Sequence, residues 1–157
     1  MHVRKLCIGL LAVGTLAACS DADRKTTVSN PATGESVTVR SGDGIPAPAN
    51  LPDFAALYPG ARIQTVMDGT GSGATGGQSG GMVIFHTADA PDKVIAFYRR
   101  RLDASALTER SEGHLNGAQF LTGSDPDGSD GGVQISVMPA EDEPGSFVTV
   151  VYNSGMG

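Results

Sequence analysis

His86 and His114, three aspartates in Asp125-Pro126-Asp127-Gly128-Ser129-Asp130-Gly131 and the triplet Arg99-Arg100-Arg101 are residues of this 157-residue chain whose types could do chemistry. Two imidazoles with acids nearby can hold zinc, but neither histidine lies in an HxxxH or other clustered spacing. Structural or solvated histidines are the expectation, and no metal. Asp125, Asp127 and Asp130 are candidates for weak calcium binding, because a hard cation wants several carboxylate oxygens on a tight turn. Glycine is missing at the sixth place of that loop and no glutamate closes it at the twelfth, so a plain hairpin turn is the preferred reading. Glu141-Asp142-Glu143, between Pro139 and Pro144, reads as a solvated hairpin tip. The arginine triplet could grip an anion; at a helix end it compensates the dipole, which is the simpler account.

Gly71-Ser72-Gly73-Ala74-Thr75-Gly76 has the spacing that lets a backbone approach a pyrophosphate at a helix start. Here a strand follows instead of a helix, and no lysine is present to make a phosphate-binding loop, so a mobile connection is expected. Ser79 in Gly77-Gln78-Ser79-Gly80-Gly81 resembles the nucleophile turn of chymotrypsin-like proteases, departing from it at Gln78. That family needs two barrels and an upstream histidine and aspartate, whereas His86 and His114 both follow the serine. No catalytic residue is therefore assigned. A hydrolase remains a remote alternative, and would need Ser79 or a carboxylate pair within hydrogen-bond reach of His86 or His114.

The N-terminus carries an address. Arg4 and Lys5 precede an apolar run from Leu6 to Leu16, and small residues lead to Cys19. The run is short of the about 20 residues that span a bilayer, and polar Ser20, Asp21 and Asp23 follow it, so it reads as a secretory leader and not as a resident anchor. With Leu16-Ala17-Ala18-Cys19 as a lipobox, the chain resembles the bacterial lipoproteins. The resemblance implies cleavage after residue 18, acylation of Cys19 as the mature first residue and a lipid contact with the membrane. Ser20 in second place, not aspartate, resembles the outer-membrane sorting pattern of proteobacterial lipoproteins.

Composition narrows the class further. Cys7 leaves with the leader and Cys19 is used as the anchor, so no thiol remains for a disulfide, a thiolate metal site or a cysteine nucleophile. Loss of Arg4 and Lys5 leaves nine basic against 17 acidic residues, a formal charge of −8. Such a surface repels phosphate backbones and anionic lipid heads, so nucleic-acid binding is not expected. No cofactor is implied.

The elements that must position these residues follow from periodicity. Residues 19–50 are rich in Ser, Thr, Asp, Gly, Pro and Ala and read as a lipidated N-terminus and flexible tether, with a reach of roughly 30 Å as a random coil. A hairpin is possible within it, Thr26-Thr27-Val28 against Ser36-Val37-Thr38-Val39 around Asn30-Pro31-Ala32-Thr33-Gly34. A single globular domain spans 51–153, and 154–157 is a tail. Strands are predicted over Ala61 to Asp68, Met82 to Phe85, Ala106 to Ser111, Ala118 to Thr122, Val133 to Met138 and Phe147 to Tyr152. The convincing helix is 91–102, with Val94, Ile95, Tyr98 and Leu102 on one stripe, Pro91 in its first turn and Asp89 as its cap.

One helix and five to six strands joined by short turns predict a two-layer α+β domain, a mostly antiparallel sheet with the helix packed on one face. A single helix cannot cover so wide a sheet. Remaining apolar side chains, alternate members of Val148, Val150 and Tyr152 among them, must then meet loops, a ligand or a partner. Tyr58-Pro59-Gly60-Ala61 followed by Ala90 to Tyr98 resembles a module of small bacterial envelope proteins, which brings no chemistry with it. The expected function is a lipid-anchored, periplasm-facing, non-enzymatic module that binds an envelope protein partner. The alternative is a small-ligand-binding lipoprotein using the uncovered sheet face, with the glycine-rich loop as a lid.

Overall fold

Alternation along Val133, Ile135 and Val137, and again along Val148, Val150 and Tyr152, sends each trio to one side of a pleated strand. The computed structural model, which describes residues 24–32, 34–70, 79–127 and 131–154, shows both trios buried on the same face of one sheet. Eight strands build that sheet: β1 (Arg24–Asn30), β2 (Glu35–Ser41), β3 (Arg62–Thr70), β4 (Ser79–Thr87), β5 (Glu109–Leu115), β6 (Ala118–Ser124), β7 (Gly131–Pro139) and β8 (Ser146–Ser154). Their order across the sheet is β1-β2-β3-β4-β8-β7-β6-β5, and every neighbouring pair is antiparallel. A single α-helix, α1 (Pro91–Asp103), connects β4 to β5, and a short 3-10 turn, Asp53–Ala55, lies between β2 and β3.

The sheet is therefore wider than the five to six strands expected. The additional pair is the β1–β2 hairpin, which pairs through β2 with β3 from Ser36↔Thr70 to Ser41↔Thr65. Its sequence hid this because β1 is exposed at every position and packs no apolar face. Backbone pairing along β3, not burial, recruits the hairpin, and pairing leaves no hydrophobic signature to read.

The inner face is assembled from cross-strand rows. Val66, Val83, Val150, Ile135 and Leu121 are successive partners from β3 to β6, and Ile63, Phe85, Val148 and Val137 form the next row. Each of these nine side chains is at most 6 % exposed, and burying one is worth about 1.5–3 kcal/mol. Val148, Val150 and Tyr152 thus all belong to the same, covered face, where the expectation had left alternate members of them on a face uncovered by the helix. The opposite face of β8 presents Phe147, Thr149 and the exposed Val151.

Two pieces of chain cover the inner face. Helix α1 lies against β6 and β7 through Val94, Ile95, Tyr98 and Leu102, its four buried residues. The 3-10 turn lies beside α1 and β8, and its segment adds Ile45, Leu51, Phe54, Leu57 and Tyr58 to the core. Tyr58 and Phe97 meet edge to face with centroids 5.1 Å apart, joining the two pieces.

Asp89 does not cap α1. The residue before the helix is Ala90, without a side-chain capping bond, and the Asp89 carboxylate accepts instead from Tyr58 Oη at 2.7 Å and Lys93 Nζ at 2.7 Å. Its main-chain carbonyl is held by Ser146 Oγ at 2.8 Å, which fixes the chain in another direction. Those donors, Lys93 first and then Tyr58, hold the Asp89 carboxyl below its usual range. A depressed folded-state pKa contributes stability that is present above the unfolded value, near 3.9, and is lost as pH falls through the folded value. Asp89→Asn is accordingly expected to flatten the acid limb of a melting-temperature profile below about pH 4. An unchanged limb would remove Asp89 from the account.

Tyr98 is fully buried, and its hydroxyl lies beside the Tyr58 main chain with no hydrogen-bond partner of adequate geometry among the described residues. Burial also pushes this phenol well above its ordinary pKa. An unsatisfied buried hydroxyl costs about 1–3 kcal/mol. Tyr98→Phe should therefore leave stability unchanged or raise it by up to about 1 kcal/mol, measured by urea unfolding. A clear loss would mean that the hydroxyl has a partner.

Candidate functional site

Arg40 on β2 and Asp68 on β3 lie on the same face as Val66, since Arg40 is the register partner of Val66 and Thr38 that of Asp68. They meet diagonally, Arg40 Nη2 donating to Asp68 Oδ2 at 2.6 Å, with side chains 25 % and 35 % exposed. Tyr152 of β8 reaches toward them across Gly81, its register partner on β4. A Cβ on Gly81 would come within 2.7 Å of Tyr152 Oη and 2.6 Å of the Met67 carbonyl oxygen. Only glycine at 81 lets the phenol lie flat across the strand. Burial raises the Tyr152 pKa, Asp68 raises it further and Arg40 opposes both. The phenol therefore keeps its proton at neutral pH and can donate or accept a hydrogen bond.

These three side chains line a recess of about 360 Å³. Its other wall is the segment Ala47-Pro48-Ala49-Asn50, and Gly69 and Gly80 complete it. Two further hollows are less suited to chemistry. One of about 380 Å³, beneath the C-terminal end of α1, has Asp53 and Arg101 as its charged groups, and Arg101 already stacks over Phe97 at 5.3 Å. The other, of about 300 Å³, lies on the outer sheet surface above Gly132, between Thr122 and Ser124 on one side and Val151 and Asn153 on the other.

The residues singled out by type and spacing do not converge. His86, at the end of β4, and His114, on β5, stand four strands apart in the sheet, about 19 Å at the usual strand spacing. Ser79 opens β4 seven residues before His86, about 23 Å along the strand, so these two do not form a nucleophile–base pair. His86 is buried beside Phe147, with Nε2 3.5 Å from Glu143 Oε1, too poorly placed for a hydrogen bond. Glu143, read as solvated, also receives Arg62 Nη2 at 3.3 Å. Asp125 and Asp127 sit in the β6–β7 connection, which Asp125 N closes onto the Gly131 carbonyl at 3.2 Å. Asp130, the motif from Gly71 to Gly76 and the lipobox with Cys19 lie outside the described residues. Among the described residues no group of three or more His, Cys, Asp or Glu side chains could hold a metal, and no helix is long and apolar enough to cross a membrane.

Two arginines of the triplet are used within the fold. Arg99 pairs with Glu112 of β5 at 2.6 Å, and Arg101 covers Phe97. The end of α1 is closed by Arg110, whose guanidinium donates to the Leu102 carbonyl at 2.6 Å and to Asp103 at 2.6 Å.

A model of the START domain-like family matches residues 63–146, more than half of the chain. The chain belongs to that family. One antiparallel sheet packed against one helix is consistent with the helix-grip arrangement of START domain-like proteins. A comparison with curated proteins and one with solved structures gave no significant match. The family match begins in β3 and ends where β8 starts. Asp68, Gly69, Gly80 and Gly81 fall within it, while Arg40, the wall from Ala47 to Asn50 and Tyr152 do not.

Sequence reasoning missed Arg40 and Asp68, and named Tyr152 only among the apolar side chains left for loops, a ligand or a partner. A signal for one of them was present: on β3 a charged residue, Asp68, falls two places beyond Val66 on the face that is otherwise apolar, whereas the matching positions of β2, Ser36, Thr38 and Arg40, are all polar. Charges in such positions are rarely buried unless paired. Together, START domain-like membership and a recess with convergent polar groups mark this domain as a binding module.

Proposed function

We propose that this chain is a lipid-anchored ligand-binding domain of the bacterial envelope, tied to a membrane through acylated Cys19 and holding a small molecule between β2, β3, β8 and the segment 47–50. The observation that carries the binding half is the convergence of Arg40, Asp68 and Tyr152 on a recess of about 360 Å³. That volume is at the small end of the about 300–1,000 Å³ usual for ligand sites. The anchoring half is supported by Leu16-Ala17-Ala18-Cys19 behind a short apolar run. Ser20 favours the outer membrane, with the domain facing the periplasm.

Each half has its own test. Cys19→Ser should abolish acyl labelling and move the chain out of the membrane fraction; persistent labelled membrane protein would sink the anchor. For the ligand, the full chain is extracted in mild detergent and weighed by native mass spectrometry. Ala49 is exposed and borders the recess, so Ala49→Trp plugs it without touching the core. A non-covalent adduct carried by the wild type and absent from Ala49→Trp supports the reading. An adduct carried equally by both overturns the location.

A second reading rests on the outer sheet surface, where Met138 and Val151 are 47 % and 43 % exposed. It is an envelope protein docked there, without enzymatic activity of the module itself. Crosslinking in intact cells should then yield one partner that is lost with Met138→Asp or Val151→Lys.

A further inference from the structure

The charge balance of the recess selects among ligands. Arg40 and Asp68 cancel each other, and the Tyr152 phenol is neutral, so the cluster has no net charge to offer an ion. A carboxylate on the remaining guanidinium N–H groups would lie beside Asp68 and be repelled by it, and an ammonium at Asp68 would lie beside Arg40 and be repelled in turn. An ion thus gains little net attraction from a pair that is already neutral.

The unused hydrogen-bonding capacity points elsewhere. Among the described residues the pair consumes one guanidinium N–H and one carboxylate oxygen. This leaves further donors on Arg40 beside an acceptor, Asp68 Oδ1. A group complementary to both must present an acceptor and a donor side by side and carry no charge. Two adjacent hydroxyls do so, each hydroxyl being donor and acceptor at once. Tyr152 supplies a third polar contact and an aromatic wall, and Pro48 an apolar one.

We infer that the recess binds an uncharged sugar ring through a vicinal pair of hydroxyls, held between Arg40 and Asp68 and lying against Tyr152. This rests on the ligand-binding reading above and narrows its chemical class. The ring is either a free monosaccharide or the terminal unit of a glycan, because the recess has room for little more than one ring.

Saturation-transfer NMR and calorimetry on the full chain in detergent test it, with methyl α-glucoside, methyl α-galactoside, methyl α-mannoside and N-acetylglucosamine as probes. Glucuronate and glucosamine are the charged counterparts, and maltotriose and chitotriose the chain forms. At least one neutral monosaccharide probe should bind with a dissociation constant of about 1 mM, as expected for so few contact atoms. Its affinity should change less than about twofold between low and high salt, since no net charge is engaged. Asp68→Asn and Arg40→Gln should each weaken it at least about tenfold, and Tyr152→Phe, which keeps the ring, about threefold. Melting temperatures identify any variant that fails to fold; Tyr152→Phe then carries the comparison.

A trisaccharide that binds at least as tightly assigns the glycan source, and one excluded while its monomer binds assigns the free sugar. Preference for glucuronate or glucosamine with strong salt dependence would overturn the neutral class and leave the recess standing. Neutral binding that the three variants and Ala49→Trp leave intact would overturn the recess itself. Absence of binding by every probe, while the native adduct persists and is lost in Ala49→Trp, would reject the sugar and keep the site.

Discussion

Gly145→Ala is expected to destabilise the domain by about 3 kcal/mol or more, enough to deplete folded protein in cells. Gly145 precedes β8 at φ 121°, a conformation that L side chains rarely adopt. A Cβ there would be driven into the Thr87 carbonyl and would meet Ala88 Cα at 2.9 Å, both of them backbone. Neither neighbour can yield, because Thr87 is buried at the end of β4 and Ser146 is tied to the Asp89 carbonyl. Gly60→Ala is the control: its φ is 76°, yet nothing lies within 4 Å of the added methyl. That substitution should cost only about 1–2 kcal/mol. Equal losses in urea unfolding would show that conformation alone, and not the collision with β4, makes Gly145 necessary.

Phe85→Ala should cost about 3–5 kcal/mol. The ring is fully buried on β4, between Ile63 of β3 and Val148 of β8 in register. It belongs to the same core cluster as Tyr58 of the segment before β3 and Val94 and Tyr98 of α1, so its removal leaves a void in the main core. Chemical denaturation should show a lower midpoint with an unchanged slope. A loss below about 1 kcal/mol would mean that this part of the core repacks freely.

Helix α1 was legible because its information is local: Pro91 opens it, and Val94, Ile95, Tyr98 and Leu102 repeat at helical spacing. Strand β7 was legible for the same reason, through its buried trio; β8 was legible as a strand, but being apolar on both sides it did not reveal which face is covered. The β1–β2 hairpin was visible as a possibility and its docking was not. Thr26, Thr27 and Thr38 carry no burial signal, and what recruits them is hydrogen bonding to a strand whose register depends on the whole sheet. The site was less legible still. Arg40, Asp68 and Tyr152 come from three strands, brought together by three registers, β2 on β3, β3 on β4 and β4 on β8, that no single segment encodes. Motifs that are contiguous in the chain drew attention instead, yet a strand disperses contiguous residues: Ser79 and His86 share β4 and stand at its opposite ends. The proposed address stands apart from all this, since acylation of Cys19 would depend on its immediate neighbours and not on the fold.

The start of β1 at Arg24 has a consequence for where the domain stands. With Cys19 acylated as proposed, five residue steps connect the lipidated residue to the sheet, and a fully extended chain covers at most about 3.6 Å per step, about 18 Å in all. On that proposal the sheet would stand close above the lipid headgroups. Its outermost strand would be nearest that surface, with Arg24 and Lys25 as the cations next to the headgroups. The reach of the recess would then be confined to the layer of the envelope next to the membrane.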